Sequence, residues 1–310
     1  MAEEKQYKIG LALSGGGARG FAHCGALLAL EEFGVKPDIV SGTSAGAIIG
    51  ALYCAGTDPY SIAKLFIGKE FSSFAKLRVP KSGLFNHEPF LQFLRYALNN
   101  KSFNDLKIPL QVVVSDLDNG HMTVFTEGDL ARCVLASATV PIVFQPVVID
   151  GVHYVDGGLF KNFPVSTIRP LCETVFGVNV STIANTEYKQ NLRNIALRSY
   201  NYMSCSNALS DIALCDRLIE LEELHQYSLF DLENINKIFK LGYENTVLTL
   251  ENTYKLERQF ESRLQDLVSE SEEEGSTENT AVNSNLKTTI LKRLKGFVEQ
   301  VEDGIEKIKK

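Results

Sequence analysis

Short apolar runs alternate with longer segments of helical periodicity through most of the chain. The apolar runs predict strands at residues 8–14, 38–41, 110–115, 122–125, 147–149, 152–155, 174–180 and 217–221. A helix is predicted to begin at Pro164, and the other helical patterns cover residues 21–33, 44–56, 61–66, 88–98, 130–137, 187–216 and 231–243. Strands and helices that alternate in this way indicate an α/β layered fold with a largely parallel sheet.

The composition changes after residue 268. Residues 269–285 are rich in Ser, Glu, Asn and Thr and lack aromatic residues, which predicts a disordered acidic linker. A main domain at 7–250 and a helical extension at 251–268 precede this linker. Residues 286–310 follow it and place apolar residues on one helical face: Leu286, Ile290, Leu294, Phe297, Val301, Ile305 and Ile308. We expect this amphipathic C-terminal helix to dock or to self-associate; the alternative is an interfacial membrane helix, against which its later acidic residues count.

The overall composition narrows the class of protein. Hydrophobic residues make up 45% of the chain, and 31 basic against 38 acidic residues give a net charge of −7, which argues against a nucleic-acid binder. The six cysteines lack C-x-x-C spacing and predict free thiols in a reducing compartment. The N-terminal residues lack the apolar core of a signal peptide, and no uncharged apolar run has the length of a transmembrane helix. We therefore expect a cytoplasmic protein with at most peripheral membrane contact, and the oligomeric state stays open.

The clearest chemical motif is Gly42-Thr43-Ser44-Ala45-Gly46, which follows a predicted strand and begins a predicted helix. This order is the pattern of a nucleophile elbow. The residues two before and two after the serine approach each other closely in such a turn, so glycines fit best at positions 42 and 46. The helix N-terminus also directs free N–H groups toward whatever the serine attacks. We therefore expect Ser44 to be a nucleophile.

A glycine-rich loop follows the first predicted strand, with the sequence Gly15-Gly16-Gly17-Ala18-Arg19-Gly20. It also satisfies the G-x-G-x-x-G pattern of dinucleotide sites. That site needs an acidic residue at the end of the second strand, whereas Asp38 precedes it here. Consecutive glycines instead allow backbone N–H groups to converge as an oxyanion hole. Two roles are open for Arg19: it holds the loop in place, or it attracts an anionic substrate.

The third motif, Asp156-Gly157-Gly158, follows a predicted apolar hairpin. An Asp-Gly pair alone is typical of a turn, but the hairpin and the prolines around it suggest a fixed, partly buried carboxylate. A serine nucleophile needs a base, and the candidate histidines are His23, His87, His121, His153 and His225. Only His225 follows Asp156, as the α/β-hydrolase order requires, and its surroundings indicate a surface segment. A Ser44–Asp156 dyad is the simpler hypothesis, with the pKa of Asp156 tuned by its apolar surroundings.

Residues 58–108 carry many large apolar side chains: Phe66, Phe71, Phe74, Leu84, Phe85 and Phe90. One interpretation is a core layer over the sheet. The other is a lid, or the wall of a site for an acyl chain.

The three motifs, in this order, resemble those of the patatin-like phospholipases. Residues 136–141 and 144–147 resemble the same family, as do residues 227–231 and the predicted helix that ends at Gly242. The resemblance therefore covers roughly residues 7–250 and leaves out the tail. It implies a three-layer patatin-like fold, in which helices flank a largely parallel central sheet. The tail is expected to add a C-terminal helical appendage to this fold.

The resemblance also implies a Ser–Asp dyad hydrolase that acts on acyl esters of phospholipids or lysophospholipids through an acyl-enzyme, without a metal or another cofactor. By matching position, Ser44 is the nucleophile and Asp156 the base. The oxyanion hole is then formed by the N–H groups of Gly15, Gly16, Gly17 and Ala18, and the supporting residues are Arg19, Gly20, Gly42, Gly46, Gly157 and Gly158. The alternatives are a thioesterase, transacylase or non-lipid esterase with the same dyad. A non-catalytic lipid-binding protein is a further alternative, against which the intact Ser44 and Asp156 argue.

Overall fold

The structure is a computed structural model that describes residues 5–70, 74, 76–77, 85–183, 188, 190–230 and 232–273. Its strands are β1 (Tyr7–Leu13), β2 (Ile39–Thr43), β3 (Lys76–Leu77), β4 (Phe85–Asn86), β5 (Leu110–Asp116), β6 (His121–Phe125), β7 (Val147–Ile149), β8 (Val152–Asp156), β9 (Cys172–Asn179) and β10 (Arg217–Glu220). Its α-helices are α1 (Phe21–Glu32), α2 (Ala45–Cys54), α3 (Pro59–Lys64), α4 (Glu88–Ala97), α5 (Leu130–Ser137), α6 (Val165–Ile168), α7 (Leu192–Ile212) and α8 (Ile235–Glu273).

Within the described residues, eight strands form one sheet. Its main path runs β10-β9-β1-β2-β5-β8-β7, and β6 pairs with β5 beside that path. The pairs from β10 to β5 are parallel, whereas β6, β7 and β8 are added by antiparallel pairing. The separate pair of β3 and β4 is antiparallel. The predicted α/β fold with a largely parallel sheet is therefore confirmed.

Helices cover both faces of the sheet. Ala12 of β1 packs in a buried cluster with residues of α6 and α7, namely Val165, Ile168 and Ala208. A Cβ atom at Gly50 of α2 would instead lie beside the side chains of Val40, Leu110 and Leu13. Because successive side chains of a strand point to opposite faces, Ala12 and Leu13 mark the two sides of the sheet. The three layers are thus α6 and α7, the sheet, and α2, and the last residues of β1 are buried without interruption, as a doubly covered strand requires.

Helix α8 corrects two predicted boundaries. The helices predicted at residues 231–243 and 251–268 form one helix, Ile235–Glu273, which passes through Gly242. A Cβ atom at Gly242 would lie 2.1 Å from the carbonyl oxygen of Ala22, so this glycine permits close packing on α1 and does not end the helix. The predicted linker also begins too early, because residues 269–273 belong to α8. The rest of that linker and the predicted helix at 286–310 lie outside the described residues.

The chain divides into two compact units. Residues 1–28 and 37–245 form the unit that contains the sheet, and residues 29–36 and 246–310 form the other. All six cysteines lie in the described part of the chain and are free thiols, as the sequence predicts. Of the helices in the described part, none is both long and apolar enough to cross a bilayer.

Candidate active site

Ser44 lies at the turn between β2 and α2. Its backbone has φ 53° and ψ −118°, a strained conformation for a residue other than glycine. Two hydrogen bonds fix the position of this turn. The N–H of Ser44 donates to the Ser137 hydroxyl at 2.8 Å, and that hydroxyl donates to the Val113 carbonyl at 2.6 Å. A Cβ atom at Gly42 would lie 2.5 Å from the Gly46 carbonyl oxygen, so the expected close approach of these two glycines is present.

The register of the sheet brings Ser44 and Asp156 together. Strand β2 runs parallel to β5 and pairs Thr43 with Val113, while β8 runs antiparallel along the next residues of the same side and pairs Asp156 with Val114; β6 occupies the other side of β5. The C-terminal ends of β2 and β8 therefore meet beside β5, and Ser44, one residue beyond Thr43, lies next to Asp156. The Ser44 hydroxyl donates a 2.6 Å hydrogen bond to Oδ2 of Asp156.

The Asp156 carboxyl group is only 2% exposed, and its surroundings set its protonation. Burial raises the pKa of Asp156 to about 6, against the opposing effect of the hydrogen bonds from Ser44 and the Gly158 N–H and of the nearby Tyr200 hydroxyl. The Gly158 N–H donates to Oδ1 at 2.8 Å, which leaves Oδ2 directed at the serine. At neutral pH the group is thus an ionised carboxylate placed to accept the Ser44 proton.

Residues 136–141 form hydrogen bonds with the backbone of both Ser44 and Asp156. Ser137 accepts the Ser44 N–H, and the Thr139 carbonyl accepts the Asp156 N–H at 2.8 Å. The sequence marks this segment only through the family resemblance. Its spacing gives no local sign of either contact, so the structural role of these two residues emerges from the three-dimensional arrangement.

The hydrogen bonds of the glycine loop differ from those expected of the predicted oxyanion hole at two of its four residues. The Gly15 N–H donates to the Asn162 carbonyl at 2.9 Å, and the Ala18 N–H donates to the Leu229 carbonyl at 2.8 Å. Both groups are therefore engaged and are not free to bind an oxyanion. The N–H groups of Gly16 and Gly17 form no hydrogen bond with a described residue, and both glycines line a cavity beside Ser44. The candidate hole thus reduces to Gly16 and Gly17, because two distant segments fold onto the loop.

Arg19 joins the glycine loop to the chain near residue 227. The arginine is 8% exposed, and its Nε donates to the Tyr227 carbonyl at 2.9 Å while Nη2 lies 3.4 Å from the His225 carbonyl. These contacts favour the first interpretation of Arg19, in which it holds the loop. The other supporting glycines lie in tight contacts of the same site: a Cβ atom at Gly20 would lie 2.5 Å from Cβ of Ala45, and one at Gly157 would lie 2.3 Å from the Val113 carbonyl oxygen.

The five histidines, all in the described part of the chain, form no hydrogen bond with Ser44 or Asp156. His23 is fully buried, its Nε2 lies 2.8 Å from the Ser14 carbonyl oxygen, and burial lowers its pKa to about 4. His225 lies on the exposed segment that its sequence predicts. The geometry therefore favours a direct Ser–Asp pair.

An apolar cavity of about 120 Å³ opens at Ser44. Its lining includes Phe21, Ile48, Phe66, Phe74, Phe90 and Phe144. The ring of Phe93 lies 5.0 Å from those of both Phe66 and Phe74, so residues of the 58–108 segment form one aromatic cluster. This supports the second interpretation of that segment, the wall of an acyl-chain site. Phe71 and Leu84 lie outside the described residues, and Phe85 is described only as part of β4.

The polar face of α7 was not found by sequence reasoning. Asn207 accepts the Asn162 N–H at 2.8 Å and donates to the Gly158 carbonyl at 2.9 Å. Asp211 accepts from the Lys161 ammonium group at 2.5 Å and from the Ser166 N–H at 2.6 Å. The sequence signal was available, because Tyr200, Ser204, Asn207 and Asp211 follow the helical spacing of one face. This face fixes the turn that carries Asp156.

Comparisons with known proteins identify the family to which this chain is similar. Residues 11–168 match the family model described as Patatin-like phospholipase. Lysophospholipase NTE1 of Mycosarcoma maydis is 34% identical over 185 residues, which cover 57% of this chain and 10% of that protein. Patatin-like phospholipase domain-containing protein 6 of Homo sapiens is 34% identical over 189 residues, which cover 58% of this chain and 14% of that protein. The chain thus spans a small part of the length of these relatives.

Among solved structures, VipD from Legionella pneumophila gives a TM-score of 0.48 at 16% identity, over 80% of this chain and 67% of that chain. The family match extends over just over half of the chain and contains the glycine loop, the Ser44 turn and the Asp156 turn. The chain therefore belongs to the patatin-like phospholipase family.

Proposed function

We propose that this chain hydrolyses acyl esters of phospholipids or lysophospholipids, with Ser44 as nucleophile and Asp156 as general base. The observation that carries this proposal is the 2.6 Å hydrogen bond from Ser44 to a buried carboxylate, beside an apolar cavity. Membership of the family and the names of the relatives, which include lysophospholipases, support the lipid ester as substrate.

The first half of the reaction is transfer of the acyl group to Ser44. Asp156 accepts the hydroxyl proton as Oγ attacks the ester carbonyl carbon. The N–H groups of Gly16 and Gly17 bind the oxygen on which negative charge develops. The ester bond then breaks, the alcohol leaves with the proton from Asp156, and the acyl group remains on Ser44. Water releases it as a fatty acid in the second half.

The apolar cavity favours a long acyl chain over a short one. Each buried methylene group contributes about 0.8 kcal/mol to binding when it leaves water. The phenylalanine side chains that line the cavity carry no polar group that would need a partner. A thioester with the same acyl chain would meet the same dyad, and it is the alternative substrate; the names of the relatives favour the lipid ester.

A fluorophosphonate probe tests the nucleophile. We expect the wild-type protein to be labelled at Ser44, because an activated serine attacks phosphorus and the adduct is stable. Ser44→Ala should not be labelled, whereas the matched variant Ser206→Ala, at an exposed position of α7, should be labelled like the wild type. Label position is read by peptide mass spectrometry. A folded wild-type protein that stays unlabelled would refute the hydrolase proposal.

The pH dependence tests the base. Because only the ionised carboxylate accepts a proton and its pKa is about 6, kcat/KM should rise about tenfold per pH unit below that value and level off above it. The measurement uses an uncharged monoacylglycerol with released fatty acid as readout, between about pH 4 and pH 8. A flat profile over this range would show that Asp156 is not the base.

A further inference from the structure

A second cavity, of about 40 Å³, also borders Ser44. It shares part of its lining with the apolar cavity: Gly17, Ser44, Val140, Leu229 and Phe230. Its remaining lining is mostly polar and includes Asp156, Asn162, Ser181, Tyr200, Asn201 and Ser204. Ser44 therefore borders both cavities, and the second is called the polar cavity because of these polar residues.

Among the residues that line the polar cavity, three buried polar atoms have no hydrogen-bond partner in the described part of the chain. They are Nδ2 of Asn162, the hydroxyl of Tyr200 and the hydroxyl of Ser204. These residues are 3%, 9% and 4% exposed, so bulk solvent does not serve as their partner. Buried polar atoms are normally satisfied by protein or by ordered water. A cavity of this volume is large enough for water, which needs about 10–15 Å³.

The Tyr200 hydroxyl and the Asn162 side chain lie close to the Asp156 carboxyl group. A Cβ atom at Gly158 would lie 2.9 Å from the Tyr200 hydroxyl oxygen and 3.0 Å from Oδ1 of both Asn162 and Asp156. The Tyr200 hydroxyl is thus within one bridging water of the Asp156 carboxyl group. Burial, together with the charge of Asp156, raises the pKa of Tyr200 well above its ordinary value, so the hydroxyl remains a donor.

We propose that the polar cavity holds the water that hydrolyses the acyl-enzyme, positioned by Tyr200, Ser204 and Asn162. This inference rests on the proposed function. The acyl chain lies in the apolar cavity, and the ester carbonyl on Ser44 lies between the two spaces. The water oxygen bonds to the carbonyl carbon while its proton passes to Asp156. The bond from that carbon to Oγ then breaks, Oγ takes the proton back, and the fatty acid leaves.

The two half-reactions can be measured separately with the p-nitrophenyl ester of a long-chain fatty acid. The initial burst of p-nitrophenol reports acylation, and the steady rate with the intact mass of the protein reports deacylation. For Tyr200→Phe we expect a burst rate within about twofold of the wild type, deacylation slower by about tenfold, and accumulated acyl-enzyme. Tyr202→Phe makes the same change on an exposed part of α7 and should match the wild type in both rates.

Different results would refute the water site and the proposed function on which it rests. A folded wild-type protein that releases neither p-nitrophenol nor fatty acid would refute the proposed function. A normal burst with unchanged deacylation in Tyr200→Phe would refute the water site alone. A burst that slows as much as deacylation would also refute it, and would assign the cavity to the leaving alcohol or to support of Asp156. If Tyr200→Phe does not fold, as judged by circular dichroism, Ser204→Ala carries the same expectations.

Discussion

Asp156→Asn should lower ester hydrolysis by about 10³-fold, because a positioned general base contributes roughly 10²–10⁴-fold. Asparagine has the same shape and keeps the acceptor for the Gly158 N–H, but it cannot accept the Ser44 proton. The rate is measured with saturating substrate and a correctly folded variant. Hydrolysis at the wild-type rate would show that the dyad assignment is wrong.

The same substitution is expected to stabilise the fold at neutral pH. The pKa of Asp156 rises from 3.8 to about 6 on folding, so the folded state retains a proton that the unfolded state loses between these values. Stability from this group is therefore complete below pH 3.8 and is lost as the pH rises through about 6. Above that pH, the ionised carboxylate destabilises the wild type by up to about 3 kcal/mol, and the asparagine variant should recover about 1–3 kcal/mol.

Urea unfolding at pH 8 and pH 4 checks this expectation, since the difference between the two proteins should shrink on acidification. Asp58→Asn is the matched control. Asp58 caps α3 by accepting the Ser61 N–H, and asparagine caps a helix equally well, so activity and stability should stay near wild type. A variant at position 156 that is less stable than the wild type at pH 8 would contradict the burial argument.

Gly46→Ala should destabilise the protein by about 3 kcal/mol or more, or prevent folding. The added Cβ would lie 2.2 Å from the Leu13 carbonyl oxygen and 2.7 Å from the Ser14 carbonyl oxygen. Both are backbone atoms, one in the last residue of β1 and the other in the residue after it, and β1 is held between β2 and β9. Relief therefore requires α2 to move away from the glycine loop, and the serine would move with it.

Gly50→Ala, in the same helix, is the control for this prediction. There the new Cβ would meet only side chains, at 3.3 Å from Cγ1 of Val40 and 3.4 Å from Cδ1 of Leu110. Alanine also gains about 1 kcal/mol of helix propensity over glycine. We expect a change within about 1 kcal/mol, read from chemical unfolding. Equal losses for the two variants would show that the contact with β1 is not the cause.

Local sequence patterns predicted most of the strands and helices, and they identified Ser44 and Asp156 as candidate site residues. The Ser44 turn depends on neighbouring residues of one strand and one helix, and these stand next to each other in the sequence. The partnership of Ser44 and Asp156 depends on two pairings with β5, which no local pattern encodes; the serine's need for a base and the family resemblance supplied it. Family membership is shown independently, whereas the catalytic roles of the two residues stay a prediction.

The parts that sequence reasoning missed depend on distant segments. Nothing near Gly15 or Ala18 indicates that the carbonyls of Asn162 and Leu229 occupy their N–H groups. Gly242 has the local character of a helix end, yet it lies inside α8 because α1 packs against it. The helical spacing of the polar residues on α7 indicates a polar face, but the contacts of that face could not be inferred without the fold.

The strand order has a consequence for synthesis of the chain on the ribosome. β1 carries the glycine loop, and one of its two neighbours is β9, which begins at Cys172. At about 5–20 residues per second, β9 follows β1 by roughly ten seconds or more, and α7 and Leu229 emerge later still. The serine is translated before α7 and Leu229, which support the carboxylate and the glycine loop. Translation therefore delays assembly of the proposed catalytic centre until α7 and the segment at Leu229 have been made.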